Sequence, residues 1–136
     1  MIRFMLWDRD VRDRSELLDL VARELESRRL IDDRQAVVRA FERREALGST
    51  LLTDRLAIPH AQCDSIKRAS MVFVTTRLPV RDWHQARRFL FTSLPVDADD
   101  RELAWARDFF IRLADDDFAE ALSVCEEKEL ASLLSW

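Results

Sequence analysis

The sequence predicts an α/β (α+β) chain, one sheet covered by helices, and three observations carry that reading. Two long amphipathic segments come first, three short β-branched and aromatic runs follow, and helical periodicity resumes from Asp99 to the end. No internal repeat and no Pro-, Gly- or Ser-rich linker divides the 136 residues, so one domain over 1–136 is expected.

Each element has its own warrant. In "RDRSELLDLVARELESRRLI" the residues Leu17, Leu18, Val21 and Leu25 form one helical stripe, with Asp13 or Ser15 as the cap. In "DDRQAVVRAFERREALG" Val37, Ala40 and Phe41 share a face, Asp32 and Gln35 make a capping pattern, and Gly48 closes the helix. The short apolar run "LAI" at 56–58 reads as a strand end, because Pro59 biases Ile58 to extended geometry. "SMVFVTT" at 70–76 and "RFLFTS" at 88–93 read as strands, joined by a polar connection that holds Pro79 and Asp82. Leu103, Ala106, Phe110 and Leu113 then recur at helical spacing, followed by the helical "DDFAEALSV" and "EKELASLLSW". The expected order is α-α-β-β-β-α-α-α.

Composition excludes several classes of function. The longest apolar runs, such as "MVFV", are a few residues long against the ~20 needed to cross a bilayer. "MIRFMLWDRDVRDR" lacks the apolar centre of a secretion signal, so a cytoplasmic protein without membrane insertion is expected. The net charge of −4 mixes both signs along the chain, and no basic stripe marks a nucleic-acid surface. Lysine occurs only at Lys67 and Lys128, the other basic residues being arginine. Cys63 and Cys125 are too few and too far apart for a disulfide frame or a CxxC metal site. Gly48 is the only glycine, where a chain of this length averages about nine. Glycine-rich phosphate loops therefore cannot be built, and HExxH and GxSxG are absent too.

What remains is "REALGSTLLTDRLAIPH", Arg44 to His60, which ends on one of only two histidines. A histidine just past a strand end stands where α/β proteins place reactive groups, although a lone histidine of this kind is most often a plain loop residue. His84, in the polar connection, is expected to face solvent, and Trp83 and Trp105 to pack.

The spacing "RExxxST", six residues, then "AIPH" resembles the signature of the fructose/mannitol-type enzyme IIA domains of the bacterial sugar phosphotransferase system. "REALGST" resembles the nitrogen-regulatory branch in particular. "MVFVTTRLPV", "FTSLPVDADD" and "RLADDDFAEALSVCEEKELASLL" continue the likeness, from about Val11 to Leu134, with a short deletion near 82–86. The resemblance implies the enzyme IIA type-2 fold, a central mixed β-sheet flanked by helices. It implies a phosphocarrier without cofactor or metal, whose histidine, here His60, takes a phosphoryl group from HPr or its nitrogen-branch counterpart. The group then passes to a sugar-specific IIB component or serves as a signal to a regulatory target. A neutral imidazole, with an ordinary pKa near ~6.5, has a free lone pair for attack on phosphorus. Arg44 matches the arginine that offsets phosphoryl charge through its planar fork, and Ser49 and Thr50 match hydroxyl donors.

Two departures stand out. Relatives commonly read "TGIGxGIAIPH" where this chain reads "TLLTDRLAIPH", so 51–55 form a glycine-free loop. The family's second active-site histidine falls at Glu102. A carboxylate there either opposes phosphorylation of His60, or pairs with Arg44 and imitates the phosphorylated state, or turns outward to favour its helix's amino terminus. An active phosphocarrier and a regulatory module with weakened transfer are both open at this point, as is a domain that works only as a partner in a complex.

Overall fold

A computed structural model describes residues 1–136, and its first element is one that the sequence reading left out, the strand β1 (Ile2–Arg9). Its Ile2, Phe4 and Leu6 face one core while Met5 and Trp7 face another. With both faces apolar, the alternation that marks a half-exposed strand is missing. Two helices follow, α1 (Arg14–Ser27) and α2 (Arg34–Ala46). Asp13 caps α1 by accepting from the Glu16 N–H. The cap of α2 is Asp33, not Asp32, because only the residue just before Arg34 reaches the N–H groups of Gln35 and Ala36. Asp32 instead pairs with Lys67 at 3.0 Å.

The expected strand at 56–58 is two short pieces, β2 (Leu56–Ala57) and β3 (His60–Gln62), interrupted at Ile58 and Pro59. Then come β4 (Ser70–Thr76), β5 (Arg88–Leu94) and the helices α3 (Asp100–Leu113), α4 (Asp116–Val124) and α5 (Glu127–Leu134). The order is thus β-α-α-β-β-β-β-α-α-α. The sheet runs β1-β4-β5-β2, with β3 also on β5, and it is mixed: β1 lies parallel to β4, β4 antiparallel to β5, and β2 and β3 parallel to β5.

Alternation along the central strands sorts the core into two layers. Val72, Val74, Phe89 and Phe91 point at the stripes of α1 and α2. Met71, Phe73 and Leu90 point at Phe109 and Leu113 of α3, Leu122 of α4 and Leu130 and Leu134 of α5. In α3 the buried positions are Ala106, Phe109 and Leu113, whereas the expected Leu103 is 42% exposed and Phe110 half-buried. The helix is rotated so that Phe109 meets the core and Phe110 meets the site described below.

The connection between β4 and β5 closes on itself through Val80 N–H to the Ala86 carbonyl at 2.9 Å. Trp83 is fully buried there, with its ring centroid 5.1 Å from that of Phe89, and His84 is exposed. Trp105 stacks on Phe109 at 5.3 Å between centroids. Both tryptophans pack, as expected. Cys63 and Cys125 are free thiols.

Candidate functional site

The carboxyl-terminal turn of α2 builds one wall of the site. Val37, Phe41 and Glu45 follow one another at four-residue spacing on the buried face, which leaves Arg44 on the flank turned toward β3. The Arg44 guanidinium donates from Nη1 to the Gly48 carbonyl at 2.9 Å, tying the turn that follows α2 back to the helix. Gly48 has φ +152°, a backbone region that side chains disfavour, and an added Cβ would meet nothing within 4 Å. Glycine is needed here for the turn and not for space.

After that turn the chain is tied back to α2. Glu45 is buried and its carboxylate accepts a short hydrogen bond from the Thr50 hydroxyl and a second, at 3.4 Å, from the Thr50 N–H. The Thr50 carbonyl accepts from the Ile58 N–H at 2.9 Å. The Ile58 carbonyl lies 3.2 Å from Nδ1 of His60. Pro59 has no N–H to continue β2, and its carbonyl accepts from Thr92 N–H at 2.9 Å, which sets His60 level with Thr92 at the start of β3.

Those contacts fix the state of the imidazole. Arg44 donates from Nε to Nε2 of His60 at 2.9 Å. A guanidinium has no lone pair to offer, so Nε2 must be the accepting nitrogen. Nδ1 then carries the proton and donates it to the Ile58 carbonyl. The nucleophilic lone pair of neutral His60 is on Nε2, at the arginine.

Both residues line a cleft of about 760 Å³ between α2, β3, the end of β5 and α3. Phe110 forms its far wall, edge-on to the His60 ring with centroids 6.0 Å apart. Leu47, 85% exposed, stands at the mouth. Ser49 is exposed and its Oγ accepts from Leu51 N–H at 3.0 Å, leaving the hydroxyl proton free. Thr50 is 6% exposed, and its own proton is held by Glu45. Glu102 is set apart from this group. It lies in the first turn of α3, where its N–H bonds the Asp99 carboxylate at 2.8 Å. It is not among the residues lining the cleft, and no ion pair or hydrogen bond joins it to Arg44 or His60. The helix residue on His60 is Phe110, two turns further on.

Glu45 and Phe110 were missed as site residues by sequence reasoning. A carboxylate four residues after Phe41 on an apolar face was the available signal for Glu45. Nothing local marks Phe110. No three His, Cys, Asp or Glu side chains come together as a metal-binding group, and no helix is long and apolar enough to cross a membrane.

A mixed sheet between two helical layers, with an arginine-bound histidine at its edge, defines a single-histidine site in an open cleft. The chain belongs to the family described as phosphoenolpyruvate-dependent sugar phosphotransferase system, EIIA 2, whose model matches residues 3–135. The nitrogen regulatory protein IIA-Ntr of Neisseria meningitidis has a similar structure, with a TM-score of 0.76 at 24% identity over 98% of this chain and 96% of that one. The Escherichia coli complex of enzyme IIA mannitol with phosphorylated enzyme IIB mannitol gives a TM-score of 0.69 at 18% identity, covering 96% of this chain and 93% of the other. Escherichia coli IIA mannitol gives 0.66 at 19% identity, over 96% and 94%. None of the curated protein sequences matches this chain.

Proposed function

We propose that this chain is a phosphoryl carrier that takes a phosphoryl group from an HPr-like phosphocarrier onto Nε2 of His60. The observation that carries the proposal is the pair of contacts on one ring, Arg44 Nε to Nε2 at 2.9 Å and Nδ1 to the Ile58 carbonyl at 3.2 Å. In the transfer the P–N bond to the donor's histidine breaks and a P–N bond to Nε2 forms. The ring becomes cationic with its proton still on Nδ1, where the Ile58 carbonyl meets the charge. The Arg44 fork shifts from the nitrogen to the phosphoryl oxygens while Nη1 remains on Gly48. Ser49 adds a hydroxyl at the rim. Thr50 acts by holding its loop to Glu45, since donating to phosphate would break that bond. Leu47 and Phe110 give the mouth an apolar border of the kind that protein partners cover.

Family membership and the likeness to a IIA component in complex with its IIB support transfer onward to a sugar-specific IIB component in the cytoplasm. A second reading, a regulatory module that docks on a target without efficient transfer, is favoured by the 51–55 loop. That loop is pinned by Leu52 N–H to the Leu56 carbonyl at 2.8 Å and by Thr53 to Ser123 at 2.7 Å. A turn so fixed resists reshaping around a donor. Mixing the purified chain with enzyme I, HPr and phosphoenolpyruvate separates the two. The carrier reading expects one acid-labile phosphoryl group on intact mass, absent in His60→Ala. No added mass, or a phosphate retained by His60→Ala, refutes it.

A further inference from the structure

We propose that the chain has a second binding site, for a small organic phosphate that also carries hydroxyl groups, at the end of the sheet opposite His60. A polar cavity of about 590 Å³ opens there, where β1 and β4 end and β5 begins. Carboxyl ends of parallel strands are the usual place for ligands on open α/β sheets. His60 is level with Thr92, whereas this cavity is walled by Arg87 and Arg88, so the two lie about 13 Å apart along β5 at ~3.3 Å per residue. The proposal uses no residue of the His60 cleft and stands independently of the carrier reading.

Three arginines, Arg55, Arg87 and Arg88, line the cavity, and none has a carboxylate within ion-pair distance. In a chain of net charge −4 this is a local reversal of sign. Two of the three are preorganised. Arg88 is held by the Leu122 carbonyl at 2.9 Å and the Cys125 carbonyl at 2.6 Å, and its plane lies over the Trp7 ring at 5.3 Å. Arg87 is held by the Thr76 and Arg77 carbonyls at 3.4 and 2.6 Å. Neutral carbonyls fix these side chains without cancelling their charge, and each keeps N–H groups to donate. The Arg55 side chain has no hydrogen bond in the structure and is free to close on a ligand.

The same wall holds Asp54, which has no ion pair, and Asp8, which pairs with Arg77 at 3.7 Å, and these carboxylates decide the class of ligand. Asp8 is kept in a left-handed conformation at φ +57°, with its N–H on Thr75 Oγ1 at 2.6 Å, and Gln85 across the cavity is left-handed at φ +59°. Such strain gathers where a side chain must be aimed. Thr75 accepts in that bond, so its own hydroxyl proton remains to be donated. Guanidinium forks match a phosphoryl group, while carboxylates accept from hydroxyls and repel a ligand that is anionic throughout. One anionic end and a hydroxyl-bearing body satisfy both.

Calorimetric titration of the full chain at fixed ionic strength tests this, with glucose 6-phosphate and glycerol 3-phosphate as probes and inorganic phosphate and glucose as controls. Saturable one-to-one binding of at least one probe is expected, ten-fold or more tighter than inorganic phosphate, with glucose not binding. Arg55→Ala and Asp54→Asn, both at exposed positions, should each weaken it ten-fold or more with the urea midpoint unchanged, and His60→Ala should bind like the parent. Silence with both probes, equal affinity for inorganic phosphate, parental affinity in Arg55→Ala, or loss of binding in His60→Ala each overturns the proposal.

Discussion

Replacing Thr50 by valine tests whether the buried Glu45 carboxylate organises the phosphoryl-accepting site. Valine keeps the shape of threonine and removes only the hydroxyl, so the carboxylate loses its short bond and retains the longer one from the Thr50 N–H at 3.4 Å. A hydrogen bond to a charged group contributes about 1.5–3 kcal/mol, and a buried acceptor left short of partners costs toward the upper end of that range. We expect Thr50→Val to lose about 2–3 kcal/mol in urea unfolding. Glu45→Gln removes the charge from the same pair, so the double variant should be less destabilised than the sum of the singles, with a coupling of about 1–3 kcal/mol. The effect should also reach His60, because Thr50 holds Ile58 and Ile58 holds Nδ1. Displacing a nucleophile by about 1 Å can slow its reaction about a hundred-fold, and a ten- to hundred-fold slower phosphorylation of His60 is expected at temperatures where the variant stays folded. Additive stabilities with unchanged phosphorylation kinetics would show that the Glu45–Thr50 pair is a local tie with no bearing on the site.

Three further outcomes are expected. Arg44→Lys keeps the charge but loses the fork that spans His60 and Gly48, so transfer should slow ten-fold or more with unfolding little changed, and equal rates would make Arg44 a bystander. Glu102→Gln should change His60 phosphorylation by less than two-fold because the carboxylate stands outside the cleft, whereas a large gain would show that it reaches the phosphoryl group. The Glu16 carboxyl is held below the usual glutamate range, first by the hydrogen bond from the Arg12 side chain and then by that from its backbone N–H. A lowered folded value means that its stabilisation is present above the unfolded glutamate pKa of ~4.3 and is lost as pH falls through the folded value. Its NMR titration midpoint should therefore rise in Arg12→Ala.

The sequence by itself determined the helices and the two central strands, and it singled out Arg44 and His60, whose hydrogen bond to each other only the structure shows. Caps, stripes and turn residues act over a few positions, and "RExxxST" with "AIPH" preserves a spacing whose geometry the fold fixes. β1 stayed hidden because both its faces set apolar side chains against a core, which removes the polar alternation by which a strand is read. Only the tertiary structure decided that Glu45 faces inward to hold Thr50, and that Phe110 rather than Glu102 stands against His60. Both depend on how a helix is rotated about its axis against the sheet. That rotation is set by packing of distant residues such as Phe109 on Leu90, and no spacing within the helix records it.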